Sequence, residues 1–472
     1  MPFDPPESRV FPIGCQGSRH RNGTTERMPA YCLPIALYPG RQAWRDILVI
    51  LPGSNANISR SSCNVPADAP IFRRLPITNF VPLELMDLSD VPTPALLLNR
   101  PVLERNCRAM GERATRLGVR LRPHLKTAKC FEVARMATRD HFGGITVSTV
   151  AEARHFATAG FRDILYAVGI IPAKVAPLAG LQADTGAMVQ LTLDSIEAAV
   201  ATGQTAGQLG ATFGVLIEID TGAGRAGLPP DDEKAMVAVA EAIEGSPTLR
   251  FQGIMTHAGH AYHGRNAGEI RAIARAERDG LTFAAGLLAG RGFPCATVSL
   301  GSTPTLVHHA PSLDGITEVR PGVYTFFDLD QWALGTCSLD DIAVSVLATV
   351  IGHNRRAGRI LVDAGALALS KDVSASEFRD GLGFGLVVPS VELPNEAGLG
   401  PLRVAELYQE HGAIAAANGE LPYKTLPIGA KVRLLPHHTC LTCAPFDRYH
   451  VIDAPAGPVT AIWPKANGWY NR

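Results

Sequence analysis

From Thr93 to about residue 330 the sequence alternates short apolar runs with alanine-rich stretches of helical spacing, a pattern that few folds accept. Residues 94–98, 119–122, 144–149, 163–168, 188–193, 214–220, 253–257 and 296–300 read as strands, and 100–117, 130–138 and 150–159 carry apolar residues at helical intervals. Strands alternating with helices predict a parallel sheet, and about eight such units predict a closed (β/α)8 TIM-type barrel. Past Trp332 the helical pattern fades, and residues 342–352, 359–363 and 431–435 predict strands of a mainly β C-terminal domain. The expected division is an α/β barrel over 86–332 and a β-rich domain over 333–472. Residues 1–85, rich in Pro, Ser, Asn and Arg without a sustained period, are expected to form a poorly ordered extension. A misassigned start codon would account for them equally well.

Charge narrows the partners. The 44 basic and 44 acidic residues cancel, so no global field draws the chain to nucleic acid or to a membrane surface. Small molecules and a second copy of the chain are the expected partners. Nine cysteines scattered through 472 residues do not make a secreted disulfide framework, and the apolar stretch at 47–51 is too short for a signal core or a span. A cytoplasmic protein is expected.

Lysine is scarce, with eight among the 44 basic residues and none in the first 125 positions, so the one in Arg122-Pro123-His124-Leu125-Lys126-Thr127 is informative. Residues two apart in a strand share a face, which would turn Arg122, His124 and Lys126 inward together. Three cations so placed repel and lower the lysine pKa, and a neutral amine is what carbonyl chemistry needs. Spacing alone leaves open a surface lysine beyond the strand end.

This segment resembles the Arg-Pro-His-x-Lys-Thr signature of the family of eukaryotic-type D-serine dehydratases and D-threonine aldolases, preceded as in that family by Thr93-Pro94-Ala95-Leu96. The similarity extends from about residue 88 to the C-terminus. It implies an alanine-racemase-like fold and a pyridoxal 5'-phosphate enzyme in which Lys126 carries the cofactor covalently, with His124 in the same pocket. Gly301-Ser302-Thr303-Pro304-Thr305 follows a late strand, where backbone amides can hold a phosphate. Arg320-Pro321-Gly322-Val323-Tyr324 is similar to a family segment ending in a phosphate-contacting tyrosine. Asp220-Thr221-Gly222-Ala223-Gly224-Arg225 is similar to the loop that sets an arginine beside the pyridine nitrogen. Of the two histidines in His257-Ala258-Gly259-His260-Ala261-Tyr262, His257 is the expected pocket residue and catalytic group.

A metal motif is expected in Pro436-His437-His438-Thr439-Cys440-Leu441-Thr442-Cys443. In an extended run His438 and Cys440 project from one face, and imidazole with thiolate favours Zn²⁺ over harder ions. From the residues alone a Cys440–Cys443 redox pair, a closed zinc site including His437 and Cys443, and simple burial of the cysteines stay open. The family's dehydratases carry His-x-Cys here and its aldolases His-x-Asp with Mn²⁺-like ions, so the resemblance implies zinc on His438 and Cys440, with Mn²⁺ the alternative. The segment from Cys443 to Tyr449 departs from both patterns.

The implied reaction is dehydration of D-serine, or a related D-β-hydroxy amino acid, to a 2-oxo acid and ammonia. The alternative is metal-dependent retro-aldol cleavage to glycine and an aldehyde. A racemase leaves the metal motif without a task, and non-catalytic carriers of the cofactor on this barrel usually lack a β domain. A homodimer is implied by the fold.

Overall fold

The computed structural model describes residues 85–309, 312–390 and 401–469. The expected N-terminal extension lies outside the described residues except for Leu85. Eight parallel strands, β2 (Arg120–Leu121), β3 (Ile145–Val147), β4 (Asp163–Gly169), β5 (Met188–Leu193), β6 (Phe213–Glu218), β7 (Leu249–Met255), β8 (Thr297–Leu300) and β9 (Glu318–Val319), follow β1 (Ala95–Asn99) in the chain. Their order is β2-β9-β8-β7-β6-β5-β4-β3, and a parallel bridge between His124 and Thr146 joins the two ends into a barrel. Helices separate successive strands, their starts marked by side chains that accept backbone N–H groups: Asn99 before Arg100–Arg116, Thr149 before Val150–Thr158 and Ser195 before Ile196–Gln208. Gly253 lets β7 lie close on β8. Its φ is +138°, and a Cβ there would stand 1.9 Å from the Thr297 carbonyl oxygen.

The C-terminal strands are β10 (Val344–Asn354), β11 (Arg359–Val362), β12 (Gly385–Pro389), β13 (Leu402–Leu407), β14 (Gly412–Ala416), β15 (Lys431–Pro436), β16 (Arg448–Ile452) and β17 (Val459–Pro464). They form a second sheet of order β11-β14-β13-β12-β15-β10-β1-β16-β17, curled so that β10 also pairs with β11. The barrel followed by a mainly β domain is therefore present, with one correction. The run read as the first barrel strand is β1, which belongs to the second sheet, antiparallel to β10 and parallel to β16. The eighth barrel strand is instead β9, two residues long and too short to register as a periodic run. Strand alternation explains why Ala95 to Leu98 of β1 are all apolar: Leu96 and Leu98 join the main core, while Ala95 and Leu97 pack with Leu88, Val91, Leu347, Ile452 and Val459. An apolar run says that both faces are covered but not by which layer.

Arg122 requires a second correction. It shares no cationic face with Lys126, because its guanidinium is buried against Glu318 (Nε to both carboxylate oxygens, 3.0 Å) and Asp163 (Nη1 to Oδ1, 2.7 Å). The strand ends at Leu121, and Lys126 lies in a turn beyond it. Removing one member of a buried ion network strands the others, so Arg122→Met is expected to destabilise the fold by about 3–5 kcal/mol, read from the urea midpoint. A midpoint equal to the parent's would show that the network contributes nothing.

Candidate active site

The C-terminal ends of the barrel strands surround a cavity of about 290 Å³ lined by His124, Lys126, Ser148, Ala167, Val168, Gly169, Glu218, Arg225, Ala226, Met255, His257, Gly301 and Arg320. Lys126 is the sole lysine in that lining, and among the described residues its Nζ makes no hydrogen bond or ion pair. Burial, followed by the charges of Lys126, His257 and Arg320, holds the His124 imidazole well below its ordinary range. Burial and then the Lys126 charge push His257 down to about 3, so both rings are neutral at physiological pH. His257 Nδ1 donates to the Gly301 carbonyl at 3.1 Å, which leaves Nε2 as an acceptor. Glu277, buried on the helix Ala267–Gly290, accepts from the N–H groups of Ala258 (2.9 Å) and Gly301 (3.2 Å) and clamps these two loops together.

Arg225 rides on a loop that the Asp220 carboxylate organises by accepting N–H groups of Gly222, Ala223 and Gly224. Gly227 closes it, since a Cβ there would fall 2.8 Å from the Asp220 nitrogen. The Arg225 guanidinium is 60% exposed at the rim and pairs with Glu218 (3.1 Å). Deeper in the cavity lies Arg320, which sequence reading passed over in favour of Tyr324 on the same segment. It is 4% exposed and donates to Ser299 Oγ and the Thr256 carbonyl. Of the expected phosphate group, Gly301 lines the cavity and the others do not. Ser302 caps the short helix Thr303–Val307, and Thr303 Oγ1 accepts from the Tyr324 N–H. Tyr324 is fully buried, among the described residues its hydroxyl has no partner, and burial pushes its pKa well above the ordinary range. Three fixed cationic side chains, Lys126, Arg225 and Arg320, face one lining carboxylate, Glu218. Such a donor set fits a small anionic group with an aldehyde within reach of one amine.

The metal motif adjoins this cavity by a different geometry from that expected. His438 is not in an extended run with Cys440 but stands at the N-terminus of the helical turn Thr439–Cys443. That turn still brings the pair together, and each side chain has an outer partner. His438 Nδ1 meets Asp372 Oδ2 at 2.8 Å, and Cys440 Sγ meets Thr127 Oγ1 at 2.9 Å. Burial lowers the His438 pKa, but the Asp372 and Cys440 interactions outweigh it and lift the ring to about 11. For Cys440 burial raises the pKa, yet His438, Lys126 and Thr127 bring it net below the usual thiol range. Asp372 is held low by its His438 hydrogen bond, and burial with the Asp328 charge lifts Asp330 to about 7.

Asp330, Asp372 and His438 offer donor atoms within 4.8 Å of one another, and neither aspartate was singled out in the sequence. We assign Asp372 to orienting His438 rather than to a separate cation, because Ser374 already donates to both carboxylates. Cys440 and Cys443 are separate free thiols, and Cys443 is buried with its pKa raised to about 12. His437 and Cys443 join no ligand cluster among the described residues. An imidazole with a thiolate fits a soft divalent ion. Binding at Nε2 would displace the second ring proton of His438, while Nδ1–H stays on Asp372, so metal affinity is expected to weaken about tenfold for each pH unit below neutrality. Calorimetry in buffers of different ionisation heat should show about one proton released per ion. An affinity independent of pH would contradict this.

Comparison with known proteins gives two family matches: "Alanine racemase, N-terminal domain" over residues 98–330 and "Putative serine dehydratase domain" over 343–452. The chain is 39% identical over 385 residues to the D-threo-3-hydroxyaspartate dehydratase of Delftia sp. (strain HT23), covering 81% of this chain and 99% of that one. It is 31% identical over 392 residues to the 3-hydroxy-D-aspartate aldolase of Paracoccus denitrificans, covering 80% and 92%. Among solved structures, a cysteine-to-alanine variant of the D-threo-3-hydroxyaspartate dehydratase in its metal-free form is similar, with TM-score 0.76, 37% identity, and coverage of 81% of this chain and all of that one.

Proposed function

This chain belongs to the D-serine dehydratase and D-threonine aldolase family of pyridoxal-phosphate-dependent lyases with the alanine-racemase fold, and we propose that it dehydrates a D-β-hydroxy amino acid to a 2-oxo acid and ammonia with a zinc ion at His438 and Cys440. The observation that carries the reading is the contact between Thr127, the residue after Lys126, and Cys440, which sets the amine and the metal motif in one site. D-Serine and D-threo-3-hydroxyaspartate are the first substrates to test, the latter from the Delftia relative.

Lys126 would hold the cofactor, with His124, Arg225 and Gly301 around it. Arg320 adds a deep positive charge that sequence reading did not assign, whereas Ser302, Thr303 and Tyr324 support the loop from behind. Pyridoxal phosphate supplies the electron sink for the pair left when the α-proton departs. Arg225, paired with Glu218, would offer the ring nitrogen a guanidinium N–H rather than a carboxylate, which favours a moderate sink. Lys126 Nζ would take the α-proton, and neutral His257, its Nδ1–H held on Gly301, would present Nε2 as a hydrogen-bond acceptor toward the substrate. A zinc ion on His438 and Cys440 would serve as Lewis acid to the β-hydroxyl. The β-hydroxyl and α-proton leave as water, and the released enamine, 2-aminoacrylate in the case of D-serine, takes up water to give the 2-oxo acid and ammonia.

The Paracoccus aldolase relative supports a second reading, cleavage of the Cα–Cβ bond at the same site. A homodimer, a cytoplasmic setting and the choice of Zn²⁺ over Mn²⁺ belong to the proposal; no helix of the described residues is long and apolar enough to cross a membrane. The test is ammonia and 2-oxo acid release across a panel of D- and L-β-hydroxy amino acids, with and without chelator. Release from D-isomers, abolished by chelation, is expected. Turnover of L-isomers alone would overturn the proposal.

A further inference from the structure

Thr127 is 1% exposed and follows Lys126 directly in the turn after the first barrel strand. Three contacts moor this turn to the C-terminal sheet and its loops. The Ala128 carbonyl accepts from Tyr449 Oη (2.7 Å), the Lys129 carbonyl accepts from the Ala466 N–H (2.7 Å), and Thr127 Oγ1 meets Cys440 Sγ (2.9 Å). The first two involve only main-chain oxygens on the turn, so almost any residue there could make them. The third depends on the threonine hydroxyl, and it is the one that touches a proposed metal ligand.

We infer that Thr127 is a positioning residue for the metal: its hydroxyl donates to the Cys440 thiolate, occupying one sulfur lone pair and aiming another at the ion. This rests on the assignment of Cys440 as a ligand. A thiolate is acceptor-only, so with sulfur ionised the hydroxyl must be the donor. An outer hydrogen bond to a ligating atom fixes its orientation and tunes its electron donation, and its loss typically weakens metal binding about 10–100-fold. Asp372 does the corresponding work at His438 Nδ1, so each ligand is oriented from the side away from the ion. The two braces come from different parts of the chain, Asp372 from the C-terminal domain and Thr127 from the barrel segment that carries Lys126. Thr127 thus holds the ion in register with the amine.

The test uses the full-length protein with Co²⁺ in place of zinc, because a cobalt–thiolate bond gives a charge-transfer band in the near ultraviolet. In the parent protein that band is expected. Thr127→Val, nearly isosteric but without the hydroxyl, should move it to longer wavelength and weaken Co²⁺ and Zn²⁺ binding about 10–100-fold. Thr127→Ser, which keeps the hydroxyl, should restore both toward the parent, and Thr127→Ala, which loses the hydroxyl without adding a methyl, should reproduce the valine result. An unshifted band and unchanged affinity in the valine and alanine variants would overturn the inference. Absence of the band from the parent would remove Cys440 from the ligand set, a failure of the metal-site assignment itself.

Discussion

Lys126→Ala is expected to abolish the visible-edge absorbance of the bound cofactor and to lower turnover by at least about 10²–10⁴-fold, the share a positioned base supplies. Among the described residues no other lysine lines the cavity. Lys129 Nζ is held by Glu152 at 3.3 Å, Lys174 Nζ bonds the Tyr166 hydroxyl at 2.9 Å, and Lys465 Nζ is bound to the Cys443 and Phe446 carbonyls. None of the three lines the cavity. Borohydride should therefore fix cofactor to the parent protein and not to the variant. A reducible adduct that survives in Lys126→Ala would place the cofactor on another residue.

The second large effect is expected at the metal. Chelation, or Cys440→Ala, should stop elimination, a loss of several kcal/mol of barrier lowering and on the order of 10³-fold in rate. Fold and cofactor should remain. Neither His438 nor Cys440 belongs to the buried apolar core, whereas a structural zinc site contributes its binding energy to folding and unfolds when stripped. Removal of the α-proton by Lys126 requires no metal ligand, so exchange of the Cα proton with heavy water should persist in part after elimination ceases. Simultaneous loss of exchange and elimination would assign the ion to substrate binding. A Cys440→Ala variant with full zinc content and full activity would remove the cysteine from the site.

What the sequence made legible follows from how local each signal is. Lys126, His124, His257 and Gly301 sit at strand ends and line the cavity together, because a residue just past an apolar run in a barrel has few other places to be. The partners that give these groups their chemistry are remote. Asp372 is 66 residues from His438, Cys440 is 313 from Thr127, and Glu318 is 196 from Arg122. No spacing rule links such pairs. Arg122 was misread for that reason: three cations two apart look like a repulsive face until Glu318 and Asp163 are seen to neutralise the first. His438 and Cys440 meet in a local structure other than the extended run expected, since a histidine at a helix N-terminus can meet a cysteine two residues on as readily as two residues of a strand can meet. The placement of β1 shows the limit of apolar patterning, because five buried residues in a row fit either sheet equally well.

The site is proposed to remove the β-hydroxyl rather than break the Cα–Cβ bond, and D-threonine separates the two outcomes in one reaction. Incubated with the enzyme carrying pyridoxal phosphate and zinc, D-threonine that loses water yields 2-oxobutanoate and ammonia, while retro-aldol cleavage yields glycine and acetaldehyde. 2-Oxobutanoate and ammonia in equal amounts are expected. Glycine and acetaldehyde as the products would contradict removal of the β-hydroxyl.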